Sequence, residues 1–339
     1  MIELTQSLSQ PAFRPHRLLA HPQIQSLLAS KSPRRRIWLR RGNRMDPLSQ
    51  HYIVDAGKGV KLSGWHAAQA AGVQPRGLAV LIHGWEGSHD SVPTYSMACR
   101  LFEAGWNVFR LNLRDHAGTH HLNREMFHSA RIDEVIGAIR TVRQFDTQGP
   151  LAVVGFSLGG NFALRVGLHG PAAGISPALS IGICPAIAPV STMDAIDTGP
   201  SLMRRYFSDA WRNALLAKSA AWPDVYDIKR HLPVRGIRRA TEMFVEDFTE
   251  FENFRSYVDQ YTLTPRMLMD SPSPLAVLTA QDDPVVPFAD FDGLAERGSV
   301  VTFEAPQYGG HCGFIENFAL DTWTERRVID LLGRSTRTT

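Results

Sequence analysis

Cysteine is scarce in this chain of 339 residues. Its three cysteines, Cys99, Cys184 and Cys312, are too few and too widely spaced for a disulfide framework or a zinc site. We therefore expect no bound metal, and so little cysteine fits a reducing, cytoplasmic location. The first ten residues (MIELTQSLSQ) contain no basic segment followed by an apolar one, so we expect no secretory signal peptide.

Long hydrophobic runs and an excess of one charge are also lacking. The best candidate for a membrane span, residues 166–193, has no Asp, Glu, Lys or Arg, but glycines and prolines interrupt it repeatedly, so we expect no integral membrane segment. The formal net charge of +3 is too small to indicate nucleic acid as a partner. The remaining composition, 44% hydrophobic and 20% charged residues, is typical of a globular protein and leaves the oligomeric state open.

Four segments differ in pattern. Residues 1–50 are proline-containing and carry an arginine cluster, which predicts a solvated N-terminal arm packed over the main domain; contact with an anionic lipid surface is the alternative. Residues 51–189 and 273–339 alternate strand and helix patterns. Residues 190–272 are rich in aromatics, Arg and Met, contain no comparable apolar strand, and predict a helical cap or lid inserted into the core.

The alternating segments predict an α/β fold. Short apolar runs, expected as buried strands, occupy residues 78–82, 107–113, 151–156, 178–184, 274–280 and 301–305. Helical patterns separate them, including an amphipathic one over 129–145, one near 288–298 and a closing helix over about 315–332. Such alternation is typical of a mostly parallel central sheet with helices on both faces.

The pentapeptide at residues 155–159 (GFSLG) has the pattern G-x-S-x-G between an apolar strand and a helix. In this setting Ser157 is expected on a tight strained turn, where Gly155 and Gly159 avoid crowding it. The pattern predicts a nucleophilic Ser157 at the end of a strand. The alternative is a glycine-rich turn between strand and helix in which the serine has no catalytic role.

A nucleophilic serine needs a base and an acid that orients the base, in the chain order Ser, Asp, His for this architecture. His311 follows the last predicted strand in a glycine-flanked loop and is the expected base. Asp283 follows the preceding strand and is the expected acid, with Asp282 as the fallback. The alternatives are a structural loop histidine and an acidic surface turn.

An oxyanion hole would use the backbone N–H groups of Leu158, just after the nucleophile, and of Trp85, in the loop after the first buried strand. His83 in that loop is expected to be structural. The polar segment of Arg114, Asp115 and His116 lacks a metal-binding spacing, so we expect a hydrogen-bonded loop near the pocket.

These motifs together resemble the YheT-like family of the α/β-hydrolase superfamily, whose relatives include eukaryotic α/β-hydrolase-domain lipases and plant embryogenesis-associated proteins. The segments that carry the resemblance, over about residues 20–333, are HPQIQS (21–26), HGWEGS (83–88), FHS (127–129), GFSLGGN (155–161), DDP (282–284) and GGHCGF (309–314). Residues 21–26 resemble the family's P-x-L-Q-T motif, with Ile24 and Ser26 as departures. Residues 114–119 (RDHAGT) differ from the R-G-C-x-G loop of many members, which affects pocket shape.

The resemblance implies a cofactor-free Ser-Asp-His hydrolase that acts on esters, like a carboxylesterase or lipase. From the three residues we expect acyl transfer through an acyl-enzyme on Ser157. The expected substrate is a small-molecule ester with an apolar acyl group. The same three residues would also permit an acyltransferase or a thioesterase. A non-catalytic binding protein on a hydrolase fold is the alternative from another functional class.

Overall fold

Eight strands form one sheet in the computed structural model of the chain, which describes residues 13–40, 43–294 and 301–335. The strands are β1 Ser49–Asp55, β2 Lys61–Ala67, β3 Leu78–Ile82, β4 Asn107–Asn112, β5 Leu151–Phe156, β6 Leu179–Ile183, β7 Leu275–Leu278 and β8 Val301–Glu304. Their order in the sheet is β1-β2-β4-β3-β5-β6-β7-β8. The β1–β2 and β2–β4 pairs are antiparallel and all others are parallel, as the α/β pattern predicts.

The central strands are buried along their whole length. Every residue of β3, β4, β5, β6 and β7 is buried, which matches the predicted apolar runs. A parallel strand with both faces covered has no solvent side, so apolar residues need not alternate with polar ones. One hydrophobic cluster lies on each face of this part of the sheet, and helices cover both.

The helices pack on both faces of the sheet, and most of them connect successive strands along the chain. They are α1 Pro22–Lys31, α2 Arg34–Arg40, α3 Val92–Glu103, α4 Ile132–Phe145, α5 Leu158–His169, α6 Pro189–Thr198, α7 Ser201–Ala221, α8 Ile237–Phe248, α9 Phe254–Asp259, α10 Pro265–Met269 and α11 Trp323–Ser335. In α4 the buried residues Val135, Ile136, Ile139 and Val142 recur at the predicted helical spacing and face the sheet. No helix in the described part of the chain is both long enough and apolar enough to cross a membrane.

Helices α6 to α10 all lie between β6 and β7, within the stretch for which the sequence predicts a cap. Their apolar residues form a cluster that also includes side chains from the core, such as Leu164 of α5 and Val277 of β7. This placement brings the helices next to the carboxyl ends of the central strands, where sites form in parallel sheets.

The N-terminal segment is less solvated than its arginine content predicts. Arg34 is buried and forms an ion pair with Glu325 of α11, while Arg35 pairs with Asp90. A buried guanidinium requires a charged partner, and composition alone could not reveal a partner 291 residues away. Residues 1–12 of the predicted arm and Arg41 of its arginine cluster lie outside the described residues.

Two helix predictions near the C-terminus need correction. In the segment after β7, where a helix was predicted near residues 288–298, the described residues form only a short 3₁₀ turn, Phe288–Phe291. Residues 295–298 of that prediction lie outside the described part. The closing helix begins at Trp323, because residues 315–322 form a loop closed by an isolated bridge between Ile315 and Thr322. Leu320, within this loop, has a positive φ of 62°, which a helix does not accommodate.

Candidate active site

Ser157 occupies the turn between β5 and α5, the position that G-x-S-x-G predicts. Its backbone has φ 54° and ψ −120°, a strained conformation for a residue with a side chain. A Cβ on Gly155 would collide with the backbone of Gly159, and a Cβ on Gly159 with the carbonyls of Ile82 and His83. Both glycines are therefore required by close packing, and the turn presents Ser157 at the carboxyl end of the central strand.

Three side chains from separate loops form one chain of hydrogen bonds. The Ser157 hydroxyl lies 2.9 Å from Nε2 of His311, and Nδ1 of His311 lies 2.8 Å from Oδ2 of Asp283. Oδ1 of Asp283 accepts the backbone N–H groups of Val285 and Val286 at 2.8 and 3.0 Å, which fixes the carboxylate. With the His311 proton on Nδ1, Nε2 is free to accept the proton of the serine hydroxyl.

Asp282, the fallback acid, lies in another environment. Its Oδ1 accepts the backbone N–H of Gly310 at 2.8 Å, and burial raises the pKa of its carboxyl group. Asp282 therefore supports the loop that carries His311, whereas Asp283 contacts the imidazole directly.

The charge of Asp283 controls the protonation of His311. Burial lowers the pKa of the imidazole, but the Asp283 carboxylate, together with Cys312, more than offsets this effect. The pKa of His311 therefore lies well above its ordinary value of 6.5.

Two cysteines that are far apart in sequence lie beside His311. The thiol of Cys184 accepts the backbone N–H of Cys312 at 3.3 Å, and ligand atoms of both cysteines and His311 lie within 4.8 Å of one another. The sequence spacing did not predict this cluster. Both ring nitrogens of His311 are already engaged, by Asp283 and by Ser157, so a metal ion here would cost one of those hydrogen bonds. We therefore assign His311 to the hydrogen-bond chain.

The two residues predicted to form the oxyanion hole, Leu158 and Trp85, belong to the same pocket as Ser157. Leu158 is the first residue of α5, and the first N–H groups of a helix have no acceptor within it. The N–H of Ser157 itself donates to the carbonyl of Ile183 at 2.9 Å and is not available for another acceptor. The oxyanion role of these two residues therefore stays a prediction, and both line the pocket of Ser157.

Two buried histidines brace the loop that carries Trp85. His83 donates from Nδ1 to the carbonyl of Gly84 at 2.7 Å and accepts the N–H of Leu113 at Nε2. His116 accepts the N–H of Glu86 at Nε2, 3.1 Å away. Burial lowers the pKa of both rings, that of His116 to about 4, so both are neutral hydrogen-bonding groups. This agrees with the structural role expected for them.

The N-terminal segment contacts the His311 loop directly, a relationship that the sequence did not reveal. Gln25 is fully buried; it donates to the carbonyls of Leu19 and Ile315 and accepts the N–H of Ile315 at 2.7 Å. The Ser26 hydroxyl oxygen accepts the N–H of His311 at 2.8 Å. The only sequence signal for these two residues was the similarity of residues 21–26 to a family motif.

The pocket beside Ser157 is small and mostly apolar. It has a volume of about 110 Å³. It lies between helices α6, α7 and α8 and the turn that carries Ser157, which we call the elbow. Among the aromatic residues of the insertion, Phe207, Trp211 and Phe244 line it. Trp85 stacks on Phe207 with ring centroids 5.8 Å apart. A larger open hollow of about 770 Å³ lies at the amino ends of β5 and β6, away from Ser157.

A comparison with models of known protein families assigns the chain to a family. The model of the alpha/beta hydrolase family matches residues 79–320, which span the sheet from β3 to β8, the elbow and the His311 loop. The chain belongs to the alpha/beta hydrolase family.

The hydrolase also resembles individual proteins. It is 25% identical over 332 residues to "Putative esterase YheT" of Escherichia coli (strain K12), covering 96% of this chain and 94% of that protein. Among solved structures, the esterase Pf2001 of Pyrococcus furiosus aligns with a TM-score of 0.55 at 15% identity, covering 87% of this chain and 92% of the other. Est1E of Butyrivibrio proteoclasticus with bound ferulic acid aligns with a TM-score of 0.54 at 14% identity, covering 84% and 98%. At these identities the two structures support the fold alone.

A buried ion pair attaches the inserted helices of the hydrolase to its core. Nζ of Lys218, in α7, lies 2.8 Å from Oδ1 of Asp115 and also donates to the carbonyls of Asn123 and Glu125 at 2.8 and 3.0 Å. Both side chains are buried. The sequence indicated a polar loop at Asp115, but not its partner in the insertion.

Proposed function

We propose that this hydrolase is a serine esterase that cleaves carboxylic esters of small molecules through an acyl-enzyme on Ser157. The observation that carries the proposal is the unbroken hydrogen-bond chain from Ser157 through His311 to Asp283, which opens into a pocket. A neutral imidazole between a hydroxyl and a buried carboxylate is the arrangement that makes serine a nucleophile.

In the first step, Oγ of Ser157 attacks the ester carbonyl carbon while Nε2 of His311 takes the hydroxyl proton. The imidazolium is stabilised by the Asp283 carboxylate, which stays ionised. The oxyanion accepts the N–H groups of Trp85 and Leu158, each worth about 3 kcal/mol of transition-state stabilisation. His311 then returns the proton to the departing alcohol, which leaves an acyl group on Ser157.

In the second step, His311 removes a proton from a water molecule, which attacks the acyl carbonyl. The tetrahedral intermediate collapses, Oγ of Ser157 recovers its proton from His311, and the carboxylic acid leaves. Each step uses the same three side chains and no cofactor.

Residues 190–272 act in this proposal as a cap over the acyl group. Helices α6, α7 and α8 contribute Met193, Trp211 and Phe244 to the pocket wall, so the substrate enters between cap and core. An apolar wall excludes water from the reacting carbonyl, which strengthens the electrostatic interactions there.

Hydrolysis of p-nitrophenyl esters by the native chain and by Ser157→Ala tests the proposal. We expect the substitution to lower kcat by about 10⁶-fold, to near the background rate. Ser201→Ala, on an exposed residue at the start of α7, is the matched control and should retain activity. A fluorophosphonate should label the native chain but not Ser157→Ala. Unreduced turnover in Ser157→Ala would refute the proposal, and added alcohol or a thioester substrate would reveal transferase or thioesterase activity.

A further inference from the structure

The pocket beside Ser157 contains buried polar atoms that no protein group satisfies. His128 is only 3% exposed, and within the described residues neither of its ring nitrogens has a hydrogen-bond partner. The carboxylate of Glu250, an exposed residue, forms an ion-pair contact with this ring, with Oε1 3.5 Å from Nε2. Oγ1 of Thr192 and Nε1 of Trp211 are buried and unpartnered in the same described part of the chain.

These three residues belong to separate elements and all line the pocket of Ser157. His128 precedes α4, Thr192 is in α6 and Trp211 is in α7. Buried polar groups in proteins almost always have partners, because an unsatisfied one loses its hydrogen bonds to water without compensation. Their convergence on one cavity therefore indicates a ligand that supplies the missing partners.

The chemistry of the three groups defines what they can bind. Burial, together with Arg131, Arg114 and Arg165, lowers the pKa of His128 to about 2, so its ring is neutral and offers one N–H donor and one acceptor. The Thr192 hydroxyl offers a donor and an acceptor, and the Trp211 indole offers a donor only. A hydroxyl or keto oxygen complements this set, whereas a plain alkyl chain would leave all three groups unsatisfied.

The size of the cavity limits the group further. Its volume of about 110 Å³ is below that of an engineered cavity of about 150 Å³ that holds benzene. The acyl group is the part of an ester that must fit here, because it stays bonded to Oγ of Ser157 after the alcohol has left. An acyl group of about four carbons is the appropriate size.

We propose that the preferred substrates are esters of short acids that carry a hydroxyl or keto oxygen on the acyl chain, which His128, Thr192 and Trp211 bind. This inference rests on the proposed function and replaces the purely apolar acyl group that the sequence led us to expect. It makes the three residues determinants of specificity rather than of the chemical step.

A pair of esters of equal size tests this inference. p-Nitrophenyl 3-hydroxybutanoate, as both enantiomers, and p-nitrophenyl 3-methylbutanoate differ only by a hydroxyl in place of a methyl group. We expect the native chain to prefer one hydroxy enantiomer in kcat/KM by about tenfold or more, because a site built to bind a hydroxyl discriminates against the analogue that lacks it.

Variants of similar shape assign that preference to individual atoms. Thr192→Val and Trp211→Phe each remove one hydrogen-bonding group, and His128→Phe removes two; each should reduce the ratio of kcat/KM between the two esters. Met193→Leu, an apolar change in the same wall, is the control and should change both esters by a similar factor. Equal or better turnover of the methyl ester by the native chain, or an unchanged ratio in all three polar variants, would overturn the inference.

Binding separates this inference from the proposed function. Ser157→Ala should bind methyl 3-hydroxybutanoate more tightly than methyl 3-methylbutanoate, as measured by calorimetry. If the native chain hydrolyses no ester, the proposed function fails and this binding comparison alone decides the inference. If hydrolysis depends on Ser157 but neither turnover nor binding favours the hydroxy ester, only the inference fails.

Discussion

The Ser26 hydroxyl oxygen accepts a hydrogen bond from the backbone N–H of His311 at 2.8 Å, across 285 positions of the chain. The same hydroxyl donates to the carbonyl of Pro22 at 2.7 Å, so the first turn of α1 holds it in place. Gly310 packs so closely against Pro22 that a Cβ there would collide with the Pro22 carbonyl. The N-terminal segment thus fixes the backbone of the residue that we propose as the general base.

Ser26→Ala should lower kcat by about tenfold with a smaller change in KM, because a displaced imidazole affects the transition state more than substrate binding. Ser26→Thr keeps the hydroxyl and should restore most of the lost rate. Ser30→Ala, on an exposed residue of the same helix, is the control. A lower melting temperature with an unchanged kcat would limit Ser26 to a structural role.

The pH dependence of kcat/KM should report the protonation of His311. The general base must be neutral, so kcat/KM falls about tenfold for each pH unit below the pKa of His311 and rises to a plateau above it. Because Asp283 and Cys312 raise that pKa well above 6.5, the midpoint of this limb should also lie above 6.5. Asp283→Asn and Cys312→Ala should each move the midpoint down. A midpoint below 6.5 in the native chain would contradict this assignment.

The two adjacent aspartates should differ sharply in effect. Asp283→Asn removes the carboxylate that orients His311 and should lower kcat by about 10⁴-fold. Asp282→Asn keeps an oxygen that can accept the Gly310 N–H, so we expect a loss of less than about tenfold. Steady-state kinetics of the two variants show which aspartate orients His311. A larger loss of kcat in Asp282→Asn than in Asp283→Asn would reverse the two roles.

Removing one partner of the Lys218–Asp115 ion pair should destabilise the fold. Lys218→Met leaves the Asp115 carboxylate buried without its cation and should lower the free energy of unfolding by about 3 kcal/mol. Lys218→Met combined with Asp115→Asn should cost less than the sum of the two single changes. Lys229→Met, an exposed lysine of the insertion, is the control. Urea denaturation measures the free energy of unfolding of the two single variants, the double variant and the control. Strictly additive losses of that free energy would argue against a coupled pair.

Local patterns in the sequence predicted the sheet and the turn that carries Ser157. The runs at β3 and β5 are apolar because both faces of the sheet are covered, and this leaves a signal that can be read from neighbouring residues. The glycines around Ser157 reflect a close packing within a few residues. Features of this kind depend on short stretches of chain, so spacing and residue type suffice to predict them.

Contacts between distant residues were not predictable in this way. Cys184 and Cys312 lie in contact although 128 residues separate them, and Arg34 is buried only because Glu325 neutralises it. The role that we propose for His128 likewise depends on distant residues, such as Phe251 and Tyr257, whose rings contact it. For the same reason, spacing in the sequence could favour Asp283 over Asp282 as the acid. Only the folded structure shows that the Asp283 carboxylate contacts the imidazole of His311.

The proposed mechanism depends above all on a covalent acyl-enzyme at Ser157. Rapid mixing with a p-nitrophenyl ester, followed by acid quenching and mass spectrometry of the digested chain, tests it directly. We expect one acyl group on the peptide that contains Ser157, formed together with the release of p-nitrophenol. This acyl group should be absent from Ser157→Ala. Rapid turnover by the native chain with an acyl group on another residue, or undiminished turnover by Ser157→Ala, would contradict it.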